Sequence, residues 1–400
     1  MDNISHSLVG LAIGELVQRT LPAEADKQAQ GVRRRMLLSA SLVANNLPDL
    51  DLVLTTLLPA PLGNLLHHRG YSHTLLVALA QALLLIALTW LLWPAARRLL
   101  RTSAAARDGL LIVSVTGLLM HIALDYLNSY GVHPLYPFDE RWLYGDTLFI
   151  VEPVIWVAFG VPLALMLGSR PLQFVLLGLL GAAVAAATGF GVLHWGSLLA
   201  LAAGAVLLAR LDSKRALAAA FVAVGAFIVI QNTASARGKR LLAAELKVRD
   251  PGSRLLDAAL TGYPANPLCW NFVSVERDDA AGSYRLRRGL LSVAPALMPI
   301  SACPAGLAEP MPVQASGIGF AWEHTASLAS LRTRSENCHF HAWLRFARAP
   351  AVGPDSASDA RFAMSGATNF STFPYARFAS LPCPASVPAW DLPRQDLLAP

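Results

Sequence analysis

The chain has 400 residues, 54% of them hydrophobic and 14% charged, with a mean hydropathy of +0.46. Soluble domains carry about 25% charged residues, so water cannot be the only solvent for this protein. A net charge of +6 and a pI near 9.3 do not point to nucleic acid, because most basic residues sit in short links between apolar runs, as orientation signals do.

In chain order, the start Met1-Asp2-Asn3-Ile4-Ser5-His6 has no basic stretch, and no small-residue cleavage site follows it. Insertion is therefore expected to fall to the apolar runs themselves. These lie near 4–21, 36–58, 74–93, 109–127, 148–168, 171–190, 193–210 and 215–231. All but the first come close to the ~20 residues needed to cross a bilayer. The run 4–21 spans, or lies re-entrant or in the interface. The expectation is a mostly α fold, a polytopic transmembrane bundle of about seven or eight helices.

If every run crosses, one set of links holds Arg19, Lys27, Arg33–Arg35, Arg97, Arg98, Arg101, Arg107, Arg170, Arg210, Lys214 and Arg215. The opposite links hold only Arg69 and Arg141. The positive-inside rule assigns the first set to the cytoplasm, and leaves the N-terminus and everything after residue 232 outside.

The tail, 233–400, is rich in Pro, Ser, Arg and aromatics. A helical lead is expected from Ala236 to Leu260. Trp270–Val275 and His339–Phe346 then alternate roughly with period two, as strands do. The expectation is a small, mainly β extracytoplasmic domain. Cys269, Cys303, Cys338 and Cys383 all lie there, and they read as two disulfides in an oxidising compartment. Sequence leaves their pairing open, with unpaired thiols as the alternative. Cys338-His339-Phe340-His341 is only a weak metal-like cluster. The expected division is 1–160 as the active unit, 161–232 as additional transmembrane helices and 233–400 as the extracytoplasmic domain.

Ionisable groups within apolar runs are costly and mark function by default. They gather in the first half, in four clusters. The first is Asp2 to His6. The second is Asn45-Asn46-Leu47-Pro48-Asp49-Leu50-Asp51, where Pro48 breaks the helix beside two carboxylates. The third is His67-His68-Arg69-Gly70-Tyr71-Ser72-His73. The fourth runs from His121 to Gly131, with His121, Asp125 and Asn128 on one helix face. The topology drawn from Lys and Arg places all four on the outer side.

Histidine with carboxylate suits a divalent metal, zinc first, then manganese or iron(II). The ligand pool is His6, Asp49, Asp51, His68, His73, His121 and Asp125. Asp49, Asp125, Arg69 and Glu152 are the candidate catalytic groups, with Arg69 placed to hold an anionic oxygen. Each also has a plain reading. His6, Asp49 and Asp51 can cap helices, and His121 with Asp125 can form an interhelix hydrogen bond. Glu152, before Pro153 and near Asp146, can open a helix. His67 ranks below His68 and His73 as a ligand. His133 and His194 read as interfacial, and His324, His339 and His341 as surface residues of the tail.

In order and spacing these pieces resemble the YdjM family of inner-membrane proteins, described as membrane-bound metal-dependent hydrolases. The matching pieces are Asp2-x-x-x-His6-x-x-x-Gly10, Pro48-Asp49-x-Asp51, His68-Arg69-Gly70-x-Ser72-His73 and His121-x-x-x-Asp125-x-x-Asn128-x-x-Gly131. Leu135-x-Pro137-Phe138, Trp142, Asp146 and Glu152-Pro153 extend the likeness over roughly residues 1–160. Glu152 stands where the family often has Asp. The resemblance implies a metal-dependent hydrolase in the first half and adds no activity to the tail. The expected function is a metal-dependent hydrolase at the outer face of the cytoplasmic membrane. It would act on an amphiphilic lipid or phosphoester, with membrane lipids as partners. The alternative is a non-enzymatic membrane protein with a structural metal or polar packing site and a partner-binding tail. A transporter ranks last, because the later runs are nearly free of polar residues.

Overall fold

The computed structural model describes residues 1–309, 317–362 and 368–399. Helix α1 (Asn3–Thr20) is capped by Asp2, whose carboxylate accepts from the Ser5 amide. Helix α2 (Lys27–Ala44) follows and packs closely along it. Helix α2 ends at Asn45, and the chain continues as a 3₁₀ segment over Leu47–Leu57 with Pro48 in its first turn. The expected span 36–58 is therefore corrected. Proline has no amide to donate and clashes with the preceding turn, so the apolar run divides into a helix and a tighter coil.

After the short α3 (Leu62–His67) and a 3₁₀ turn at Tyr71–His73 comes α4 (Leu75–Leu92), capped by Thr74. Helix α5 (Pro94–Thr102) carries Arg97, Arg98 and Arg101, and leads to α6 (Ala104–Tyr126), capped by Ser103. Then come α7 (Pro153–Leu165), α8 (Arg170–Gly189), α9 (Trp195–Ala209) and α10 (Ser213–Arg249). By length and composition α4, α6, α8 and α10 can cross a membrane; α7 and α9 are apolar but shorter. The expected count of seven or eight crossings is not reached on those criteria, partly because α1 and α2 carry Glu15, Arg33 and Arg34. Leucines along α4 and α8 remain exposed, as lipid-facing helices require.

Helix α10 runs without a break past residue 232, and the expected helical lead to Leu260 stops at Arg249. The chain then enters a four-stranded antiparallel sheet, β1 (Arg254–Tyr263), β2 (Asn266–Asp278), β3 (Ser283–Ser292) and β4 (Ile318–Ser327), paired in sequence order. Trp270–Val275 lies in β2 as expected. One sheet face packs on α10, where Gly238 lets the helix approach; a Cβ there would stand 2.8 Å from Leu260 Cδ2.

Helices α11 (Leu328–Ser335) and α12 (Cys338–Leu344) precede a small sheet of β5 (Pro350–Val352), β6 (Ser356–Asp359) and β7 (Phe373–Pro374). The expected strand at His339–Phe346 is thus mostly helix. Asn337 caps it by accepting from the His339 and Phe340 amides, which favours a helical start over extension. His339 is buried rather than on the surface. The cysteines pair as Cys269–Cys303 and Cys338–Cys383.

The other face of the larger sheet does not face water. Val273, Val275, Tyr284 and Leu286 share one core with Phe340, Trp343 and Phe346, and also with Leu62, Leu65 and Leu66 of α3 and Tyr130 and Trp142 from the loop after α6. The tail and those segments are one packed body. At the opposite end of the bundle, buried Arg33 donates to Gln18, the Pro22 carbonyl and Glu24, and Glu24 also accepts from Ser103.

Candidate metal centre

The start of α1, the end of α2, the start of α4 and the end of α6 meet at the end of the bundle under the sheet domain. Two close approaches allow it. A Cβ on Gly10 would lie 2.8 Å from the Ser41 carbonyl, and one on Gly117 would lie 2.6 Å from Ala44 Cβ and 2.8 Å from Asn45 Nδ2. Glycine at both positions lets α1 and α6 close on the end of α2.

His121 Nδ1 lies 2.7 Å from the Asn45 carbonyl oxygen, which can only accept, so Nδ1 carries the proton. His73 Nδ1 lies 2.9 Å from Ser72 Oγ and 3.2 Å from Asp51 Oδ2, which fixes that ring in the same sense. In the neutral rings both Nε2 atoms then carry lone pairs, and they face each other at 3.1 Å. Two lone pairs at that distance repel unless a cation lies between them. Hydrogen bonds of this kind behind a ring are the usual support of metal-binding histidines.

Two carboxylates complete the set. Asp125 Oδ2 is 3.1 Å from His73 Nε2 and 3.5 Å from His121 Nε2, and Asp49 Oδ1 is 3.5 Å from each ring nitrogen. Four donors about 2.1 Å from one ion at tetrahedral angles stand about 3.4 Å apart. The distances here, 3.1 to 3.5 Å, match that edge. Asp125 Oδ2 is buried and accepts no hydrogen bond from the described residues. Its other oxygen is crowded with donors: Arg69 Nη2 at 2.9 Å, His6 Nε2 at 3.3 Å and the Met1 amino group. Asp125 is thereby held with one oxygen free, aimed at the two histidines. The residues fit a divalent ion of the histidine–carboxylate class.

The structure brings together His6, Asp49, Asp51, His68, His73, His121, Asp125 and Arg69, in different positions. Asp49, His73, His121 and Asp125 form the tetrad. His6 stands behind it, with its ring stacked on His121 at 3.9 Å. Asp51 and His68 form an adjoining pair at 3.0 Å. Arg69 adopts a left-handed backbone, φ 59°, which turns its amide onto Asp51 Oδ2 at 2.9 Å. Its guanidinium is engaged by Asp125 and by Asn128 Oδ1 at 3.0 Å, and lies over the Tyr130 ring. It orients Asp125, while its Nε has no hydrogen-bond partner among the described residues. His67 is buried nearby, with no partner for Nδ1 among the described residues.

Glu152 is engaged elsewhere. It caps α7 through the Val154 amide at 3.2 Å and accepts from the Ala265 amide at 2.9 Å, tying the β1–β2 turn to the bundle. His133, expected at the interface, is buried between Trp142 and Trp390. Asp146 turns away to Lys239 and Arg348.

Sequence reasoning passed over the parts played by Asn45, Ser72, Tyr130 and Trp390. The helix break at Asn45-Asn46 was a signal for the first. Nothing local marks Trp390, which reaches the centre only through the tertiary fold.

An apolar helix bundle with a buried His/Asp tetrad at one end, roofed by a disulfide-bonded sheet domain, defines a membrane protein with a candidate metal centre. Residues 1–197 match the family described as YdjM inner membrane protein. Over 165 residues the chain is 22% identical to "Uncharacterized protein YfhP" of Bacillus subtilis (strain 168). That match covers 41% of this chain and 46% of the relative, less than half of either. No solved structure matches.

Proposed function

We propose that the protein is a metal-dependent hydrolase of the cytoplasmic membrane, working at the outer face. The observation that supports it best is the tetrad of Asp49, His73, His121 and Asp125, whose donor atoms sit at the spacing of a single coordination sphere. Zinc suits this donor set first, with manganese or iron next. Such an ion supplies a Lewis acid and lowers the pKa of water toward neutrality. The chain holds the donors: Asn45 and Asp51 fix the rings, and Arg69 and His6 fix Asp125. Asp49 lies at the edge of the tetrad nearest solvent.

The outer-face assignment rests on the arginine-rich links at the far end of the bundle and the two disulfides of the tail domain. A centre at the outer end of the bundle would suit an amphiphilic substrate, such as a lipid or phosphoester. In intact cells a membrane-impermeant thiol reagent, added after reduction, should label the tail cysteines. Protection until the membrane is opened would place the tail inside and overturn the orientation.

A second reading has its own observation. His73, His121 and Asp125 are fully buried and the tetrad supplies four protein donors, as closed structural sites do. In that reading the protein is not an enzyme, the ion staples helices and the tail binds a partner.

The deciding experiment is elemental analysis of detergent-purified protein, wild type against His121→Ala/Asp125→Ala. Bound zinc, manganese or iron that the double variant loses supports the centre, and a metal-dependent release of phosphate or head group from lipid then supports catalysis. No metal in the wild type after reloading sinks both readings. A metal-loaded protein that turns over no ester leaves the structural one.

A further inference from the structure

The tetrad leaves Asp51, His68 and one side of Asp49 unused. We propose that these three residues form a second divalent-cation position, with Asp49 bridging it to the first, so that the centre is dinuclear. This proposal rests on the reading of the tetrad as a metal centre.

Asp49 is the pivot. It is only 9% exposed, and its Oδ1 stands 3.5 Å from each of the two Nε2 atoms, which carry lone pairs in the tautomers fixed above. A carboxylate so enclosed is costly without a compensating cation. It belongs to two donor groups at once, one with His73, His121 and Asp125, the other with Asp51 and His68, each with its donor atoms within 4.8 Å of one another. A carboxylate shared in this way has one oxygen for each ion.

Asp51 is oriented for the second group. Its Oδ2 accepts from the Arg69 amide at 2.9 Å and Ser72 Oγ at 2.7 Å, which leaves Oδ1 facing His68 Nδ1 at 3.0 Å. That separation suits neighbouring ligands of one ion. The side chain of His68 is 19% exposed, whereas those of His73 and His121 are wholly buried. The second position is therefore the one that opens to solvent. It has three protein donors against four in the tetrad, and three protein donors are the number expected of a reactive metal. A pair of divalent ions held by these residues would suit a tetrahedral oxyanion, so the ligand class is a phosphoester.

The test uses full-length protein in detergent, stripped of metal and titrated with Mn(II), read by elemental analysis and electron paramagnetic resonance. Wild type should take two equivalents and give the exchange-coupled signal of a manganese pair. His68→Ala should take one equivalent and give an uncoupled six-line signal. His68→Gln, which keeps the side chain's bulk, should behave alike and separates loss of a ligand from loss of packing. One uncoupled ion in wild type and both variants would overturn the second position while leaving the tetrad standing. No bound ion in wild type would overturn both.

Discussion

Trp390 donates its ring N–H to the carbonyl of Leu66 at 2.8 Å, across 324 residues of sequence. The ring stacks on His133 with centroids 3.8 Å apart, and it lies against Gly70, where a Cβ would stand 3.1 Å from Trp390 Cζ2. The tail therefore props the loop that carries His68, Arg69 and His73. Trp390→Ala should destabilise the protein by about 3–5 kcal/mol through the cavity and the freed carbonyl. It should also weaken metal binding, because the loop loses its support. Trp390→Phe keeps the stacking and should cost about 1 kcal/mol. Thermal melting and metal titration of the pair check this. Unchanged metal affinity in Trp390→Ala would mean that the tail is only a neighbour of the centre.

The glycine contacts around Asn45 make a second prediction. A methyl group at residue 117 would meet Ala44 Cβ at 2.6 Å and Asn45 Nδ2 at 2.8 Å, so α6 must shift away from α2. The bond from His121 Nδ1 to the Asn45 carbonyl lies one turn further along the same helix. Gly117→Ala should cost about 1–3 kcal/mol of stability by overpacking. Metal affinity should fall about 10- to 100-fold, as it does when the support behind a metal-binding ring is lost. Gly178→Ala, with open space around its position, is the matched control and should change neither quantity.

These relationships show how far the sequence reaches. His6, Asp49, Asp51, His68, His73, His121 and Asp125 were legible as a set because charge within apolar runs is rare, and because alternation of Lys and Arg placed them at one end. Their division was not legible. Whether Asp51 ligates or orients His73 depends on which oxygen faces which ring, and that is set by the left-handed turn at Arg69. Periodicity named strand β2 but mistook His339–Phe346, because a seven-residue helix with one face in a core can mimic alternation. The span at 36–58 failed for a local reason, Pro48 after two asparagines, and that reason was visible. The clasp of the tail on the loops was invisible, since Arg348 and Trp390 carry no local pattern.

Arg348 is the centre of that clasp. Its buried guanidinium donates to both oxygens of Asp146 at 2.8 and 2.9 Å and to Asp257 at 2.6 Å, while Lys239 also holds Asp146. One arginine thus joins the loop before α7, strand β1 and the chain after α12. Arg348→Ala leaves Asp146 to Lys239 and Asp257 to the more distant Arg394, and should cost about 3–5 kcal/mol. Burial pushes the Asp257 carboxyl up, but the Arg348 charge beside it wins and holds it well below the ordinary range. The folded-state pKa lies below the unfolded value of about 3.9, so this contribution is complete above that pH and fades as pH falls toward the folded value. Melting temperature against pH should be lower for Asp257→Asn than for wild type at neutral pH. The two curves should converge only in strong acid. Parallel curves down to acid would mean that Asp257 does not carry the dependence.

The two disulfides should separate by function although they close similar loops. Cys269–Cys303 spans 34 residues and Cys338–Cys383 spans 45, so chain entropy alone assigns each about 4 kcal/mol. Their surroundings differ. Cys269–Cys303 sits in a small cluster with Tyr263, Leu290 and Ile300 at the edge of the larger sheet. Cys338–Cys383 ties the start of α12 to the segment that continues to Trp390, and hence to the prop beneath the His68–His73 loop. Replacing Cys269 and Cys303 by Ser should lower the melting temperature and leave metal affinity unchanged. Replacing Cys338 and Cys383 by Ser should lower both. If both replacements lower stability and neither moves metal affinity, Trp390 holds its place without the covalent tie, and the route from tail to centre runs through the packed core alone.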